Sequence, residues 1–174
     1  APKRGRDAEL TMEDSFYEAM HGSERQLNAK VAGERRSLTV HIPAGIETGK
    51  KLRIKGEGHP GAGGPGDLLL DIKVAVDPRF ERRGQDLHTR VEVAASTLLL
   101  GGSVEVPTLK GTKTLKVKAG SASGKPIRIR GAGAPKLGNK SAAGNLYVRL
   151  EVSPPDELTD AQIAAAEALR DTGL

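Results

Sequence analysis

Apolar and polar residues alternate with a period of two along most of this chain. Leu38-Val40-Ile42, Leu52-Ile54, Leu68-Leu70-Ile72 and Val74-Val76 are separated by polar or charged residues, and Leu115-Val117, Ile127-Ile129 and Leu146-Val148-Leu150-Val152 repeat the pattern. Such alternation predicts half-buried strands, read here as antiparallel, with glycines supplying the turns between them. Asp14–Met20 and Ala94–Leu100 break the alternation. Each offers about seven helix-tolerant residues before a glycine, which predicts a short helix closed by that glycine. The segment after Asp156 differs again: Thr159 and Gln162 form a capping-box pair ahead of an alanine-rich run to Gly173. That run predicts a helix of about 13 residues with an apolar stripe of Ile163, Ala166 and Leu169, too short to be stable alone in water. Its stripe either caps its own domain or meets a second chain.

The strand pattern is duplicated. Gly45, Gly49, Gly56 and Gly58 correspond to Gly120, Gly124, Gly131 and Gly133 at an offset of 75 residues. Asp7 corresponds to Asp86 at an offset of 79, and Gly66-Asp67-Leu68 to Gly144-Asn145-Leu146 at 78. Fixed glycine spacing inside the same apolar alternation implies two copies of one fold. The expected class is therefore all-β: two tandem β-sandwich-like domains with short helices, over residues 1–80 and 81–155, then a C-terminal α-helix over 156–174. The linker is expected around Asp77–Gly84.

Composition narrows the chemistry. Aromatic residues make up only 2% of the chain, so two thin cores of Leu, Ile and Val are expected rather than one thick core. The absence of cysteine removes disulfides, thiolate catalysis and cysteine-based zinc sites, and accords with a reducing cytoplasm. No apolar run approaches the roughly 18 residues of a membrane helix. The first residue, Ala1, is not methionine, which suggests a fragment or a processed form.

Gly56-Glu57-Gly58-His59-Pro60-Gly61 spells GxGxxG, but the glycine-rich residues after it cannot open the helix that a dinucleotide site requires, so it reads as a mobile loop between strands. His21, His41, His59 and His88 have no metal-ligand spacing, and no nucleophile or phosphate-loop motif accompanies them. No catalytic residue, metal or cofactor is assigned, and the chain is not read as an enzyme.

The net charge of +5 is uneven: residues 1–85 carry +2, residues 86–155 carry +7, and residues 156–174 carry −4. Lys50-Lys51-Leu52-Arg53-Ile54-Lys55 and Arg128-Ile129-Arg130 could contact phosphates, which makes a basic DNA-associating module the alternative reading. With only Phe16, Tyr17, Phe80 and Tyr147 for stacking and no recognition helix, any such binding would be weak and non-specific. Leu10 and Met12, then Leu27, Ala29 and Val31, then Leu68, Leu70 and Ile72 form three apolar rows that make either a closed core or a shallow groove.

LTVHIPAGIETGKKLRIKGEGHPG (38–61), GDLLLDIKV, DPRFERRGQDL and GGSVEVPTLKG, in this order, closely resemble the C-terminal substrate-binding region of DnaJ-type (J-domain) co-chaperones. The resemblance runs from about Asp7 to Leu174 and, with no cysteines, is to the zinc-free class, similar to the curved-DNA-binding-protein type. It implies two β-sandwich-like domains and a dimerising helix through Ile163, Ala166 and Leu169, giving a homodimer. It also implies a peptide groove lined by Leu10, Met12, Leu27, Ala29 and Leu70, shallower here because Ala29 and Leu70 are smaller than in some relatives. Expected partners are unfolded polypeptide clients and a DnaK-type chaperone, whose acidic tail would meet Arg25, Lys30, Arg35 and Arg36. The J-domain's His-Pro-Asp motif is missing; His59-Pro60 is followed by Gly61.

Overall fold

The computed structural model describes residues 1–121 and 124–174. The elements run β1 (Ala8–Asp14), α1 (Phe16–His21), β2 (Ser23–Val31), β3 (Glu34–Ile42), β4 (Lys51–Ile54) and β5 (Leu68–Val74) in the first half. The second half runs β6 (Glu81–Arg83), β7 (Asp86–Val93), α2 (Ala95–Leu100), β8 (Gly102–Thr108), β9 (Gly111–Val117), β10 (Ile127–Ile129), β11 (Pro135–Lys136), β12 (Asn139–Ala143) and β13 (Leu146–Val152), followed by α3 (Asp160–Asp171). The expected all-β class holds: strands dominate, and both short helices lie where the glycine-terminated stretches placed them.

The duplication extends to the pairing. The first unit has a sheet of order β1-β5-β4 and a β2-β3 hairpin; the second has β10-β13-β7 with β6 added, and a β8-β9 hairpin. Equivalent strands share direction, since β1 pairs with β5 and β7 with β13 in parallel, whereas β4 and β10 pair antiparallel to β5 and β13. The all-antiparallel expectation is therefore corrected at β1 and β7. Alternation records which face a residue uses but not which way its neighbour runs, and β5 returns only after the hairpin and β4.

Inward rows fill each sandwich. Leu68, Leu70, Ile72, Ile42 and Ile46 in the first unit, and Leu87, Val106, Leu146 and Val148 in the second, are fully enclosed. Aromatic side chains are used sparingly, mainly at the junction, where Phe16 of α1 stacks on Phe80 at 5.7 Å between ring centres. The expected linker is thus partly structural: Phe80 is buried, and residues 81–83 add β6 to the second sheet. From β6, Arg82 donates to the carbonyls of Gly45 and Ile46, each at 2.8 Å. Gly45 also approaches β11 closely: at φ 84° a Cβ there would lie 2.2 Å from the Pro135 carbonyl oxygen, which only glycine avoids.

The glycine loop is not the free loop the sequence suggested. Residues 2–6 lie along it: Gly5 N–H donates to Gly64, His59 N–H to Arg6 and Gly63 N–H to Lys3, each at 2.9 Å. A Cβ on Gly61 would fall 2.2 Å from the Gly5 nitrogen, so the glycines permit backbone-to-backbone approach. Asp67 anchors the arrangement, accepting from Gly56 N–H and Arg53 at 2.9 Å and from Arg4. The Gly56 hydrogen bond, with Arg4 and Arg53 adding to it, holds the Asp67 carboxyl below its ordinary range.

Candidate peptide-binding edge

β1 is an edge of the first sheet and β2 an edge of its hairpin; among the described residues each is paired on one side only. The two edges lie on the same side of the sandwich, since Arg25 of β2 donates to the Glu13 carbonyl of β1 at 2.6 Å. Both strands carry unpaired backbone groups there, and such edges accept an added extended strand.

The five expected groove residues separate by depth. Met12, Ala29 and Leu70 belong to the closed core, at 6%, 2% and 0% exposure. Leu10 and Leu27 are half-buried against that core. Cross-strand pairing explains the division. Leu70 is flanked by Leu10 on β1 and Leu52 on β4, so the central strand is covered on both sides. Leu27 sits opposite Leu38 on the hairpin's inner face. Leu38 and Leu52 were not singled out from the sequence, although their alternation carried the signal.

The four expected tail-binding cations do not gather in one patch. Arg25 and Arg36 point inward: Arg25 reaches Glu13 and comes within 3.7 Å of Asp14, and Arg36 pairs with Glu57 at 2.9 Å. Lys30 and Arg35 face each other across the hairpin on its outer side. The basic run on β4 is partly neutralised, because Lys51 pairs with Glu9 at 3.5 Å and Arg53 with Asp67 at 2.9 Å. The third expected group, Ile163, Ala166 and Leu169, lies on α3, whose Thr159–Gln162 capping box is formed. No residue of α3 is buried. Among the described residues nothing encloses its stripe: Ile163 and Ala166 are exposed and Leu169 is half-buried.

Asp14 went unnoticed in the sequence. It ends the inward row of β1, 2% exposed, at the position Val93 occupies in the second unit. Burial, followed by the neighbouring Glu18 carboxyl, pushes it up to about 6 against a partial opposing pull from Arg25. Between about 4 and 6 the folded chain therefore keeps a proton that the unfolded chain has lost. Asp14 favours folding below that window, and this contribution is lost as pH rises through about 6. Asp14→Val, which copies the second unit, should raise stability at pH 7.5 by about 1–2 kcal/mol and remove the loss between about pH 4 and 6. Urea melts of both proteins across that range measure it; an equal slope in the variant would show that Asp14 is not its source.

Two tandem copies of one small β-sandwich, with an open edge on the first and an uncovered amphipathic helix after the second, define a duplicated β scaffold built around inter-sheet seams. Residues 8–155 match the model of the DnaJ C terminal domain, and the chain belongs to that family. It is 45% identical over 142 residues to the protein named Chaperone protein DnaJ of Halobacterium salinarum, a match covering 80% of this chain and 36% of the relative. The Deinococcus proteolyticus protein of that name is 41% identical over 165 residues, covering 95% and 50%. That of Burkholderia thailandensis is 47% identical over 131 residues, covering 74% and 35%. The chain thus spans between about a third and a half of the length of these curated relatives.

Proposed function

We propose that this chain is the client-binding region of a DnaJ-type co-chaperone of the zinc-free class, holding unfolded polypeptides for delivery to a DnaK-type chaperone. It acts by binding, without catalysis or cofactor, in the cytoplasm. Residues 1–80 form the client-binding domain, 81–155 its duplicate and 156–174 the dimerising helix. The observation that carries the reading is the pair of edges β1 and β2, where Leu10 and Leu27 remain half-exposed above a floor of Met12, Ala29 and Leu70. An extended client adds its backbone along the edge and lays alternate apolar side chains on Leu10 and Leu27. The acidic tail of a DnaK-type chaperone is the second ligand proposed for this edge, where Lys30 and Arg35 on the outer side would meet its carboxylates and Arg25 and Arg36 would exchange their contacts with Glu13 and Glu57 for it.

Relatives named as chaperones, together with the paired cations of β4, favour this reading over a DNA-associating module. Among the described residues no helix is long and apolar enough to cross a membrane. The test is a titration of an extended apolar peptide and of a DNA duplex at low and high salt. Peptide affinity should change little with salt, whereas any duplex affinity should fall by orders of magnitude. A peptide that fails to bind beside a duplex that survives physiological salt would overturn the proposal.

A further inference from the structure

The two units differ at one end of the sandwich, and the difference has a chemical direction. In the first unit Glu57, just beyond β4, reaches Arg36 on the inner face of β3 and closes the seam between sheet and hairpin. At the 75-residue offset the second unit has Ala132 in place of Glu57 and Gly111 in place of Arg36. Between them on the inner row of β9, Lys113 stands where the first unit has Leu38. Its cross-strand partner is the fully buried Val106, so it belongs to the inward-facing row of β9, and with no cover beyond it its side chain is exposed at the end of that row.

The closing pair is thus absent and an exposed cation stands at the mouth of the opening. What remains is a cavity of about 540 Å³ with Leu109 and Ile129 in its wall, α1 of the first unit along one side, and Lys110, Lys113, Arg130 and Lys140 around it. None of its lining residues is an aspartate or glutamate. Among the described residues none of the four cations takes part in an ion pair.

We infer that this opening binds an extended acidic peptide, with one apolar side chain entering between Leu109 and Ile129 and flanking carboxylates meeting the four cations. Cations gathered at one mouth without counter-charge repel each other, and carboxylates relieve that repulsion while forming charge-assisted hydrogen bonds. The apolar wall adds the requirement for a side chain, and a cavity of this size accommodates one. Nucleic acid is a poorer match, because no Phe, Tyr or Trp lines the opening to stack a base. The site lies at the junction with α1 and shares no lining residue with β1 or β2, so it goes beyond the client-binding proposal.

The experiment uses the whole 174-residue chain. A labelled peptide of about eight residues, a central leucine between aspartates and glutamates, is titrated beside a Ser/Gln peptide with the same leucine and a DNA duplex, at two salt concentrations. Two variants are compared: Lys113→Glu/Arg130→Glu reverses the charge, and Ala132→Glu restores the carboxylate of the first unit. Both should weaken the acidic peptide by about tenfold or more, with thermal melts unchanged and apolar-client binding intact. Should the double variant misfold, Ala132→Glu at the rim still decides. The inference is overturned if acidic-peptide affinity is unchanged in folded variants, if the Ser/Gln peptide binds as well, if the loss follows Lys30→Glu/Arg35→Glu instead, or if the duplex binds more tightly and displaces the peptide. Loss of client binding at the β1–β2 edge with this site intact would count against the proposed function alone.

Discussion

Leu70→Asp should unfold the first unit rather than merely impair its binding. Leu70 is fully enclosed at the centre of the β1-β5-β4 sheet, with Leu10 and Leu52 as cross-strand neighbours. An aspartate there must bury a charge without a partner or drag water into the core, at a cost of about 4 kcal/mol or more, comparable to the whole stability of a small domain. Chemical melts should lose the first unit's transition, and a variant that stays folded with native stability would place Leu70 at the surface. The resemblance places Leu70 and Met12 in the lining of a groove, where such a change would weaken client binding and spare the fold. Apolar rows look alike whether they floor a groove or fill a core. What separates them is whether the neighbouring strand covers them, and β4 lies 16 residues or more from Leu70 in the chain.

Removing residues 156–174 should convert a dimer into a folded monomer. The α3 helix contributes no buried residue, so both sandwiches should survive its loss with unchanged melting temperature. A 12-residue helix with Ile163 exposed, and Leu158 exposed just ahead of it, is too short to be stable alone in water, and the proposed second copy would supply the surface it packs on. Holding two client edges on one dimer would raise avidity for long clients without any new contact. Light scattering should show the mass per particle halving on truncation. An unchanged mass, or a full chain that is already monomeric, would remove α3 as the dimerising element.

What the sequence disclosed was local or periodic. The alternation located the strands, the glycine spacing disclosed the duplication, and the Thr159–Gln162 box located α3 within a residue because a cap is decided by neighbours. What stayed hidden depends on distant contacts. The parallel pairing of β1 with β5 leaves no trace in alternation. The arm at residues 2–6 uses glycines some 60 residues away, which made a packed loop look mobile. Asp14 reads as the polar start of a short helix until its counterpart Val93 shows that the position is a buried strand end. Lys113 likewise reads as one exposed lysine among several until its register opposite Val106 places it at the mouth of the opening.

Leu27→Asp tests most directly whether clients bind along the β1–β2 edge of the first unit. Leu27 is half-buried, so an aspartate there keeps access to water and should leave the fold standing. It places a charge where an apolar client side chain would rest. Titrating an extended apolar peptide against the parent and the variant, with matched melts, should show at least about a tenfold loss of affinity in the variant, a loss that salt does not restore. Equal affinity for a folded Leu27→Asp protein would contradict the account and move the client site elsewhere on the molecule.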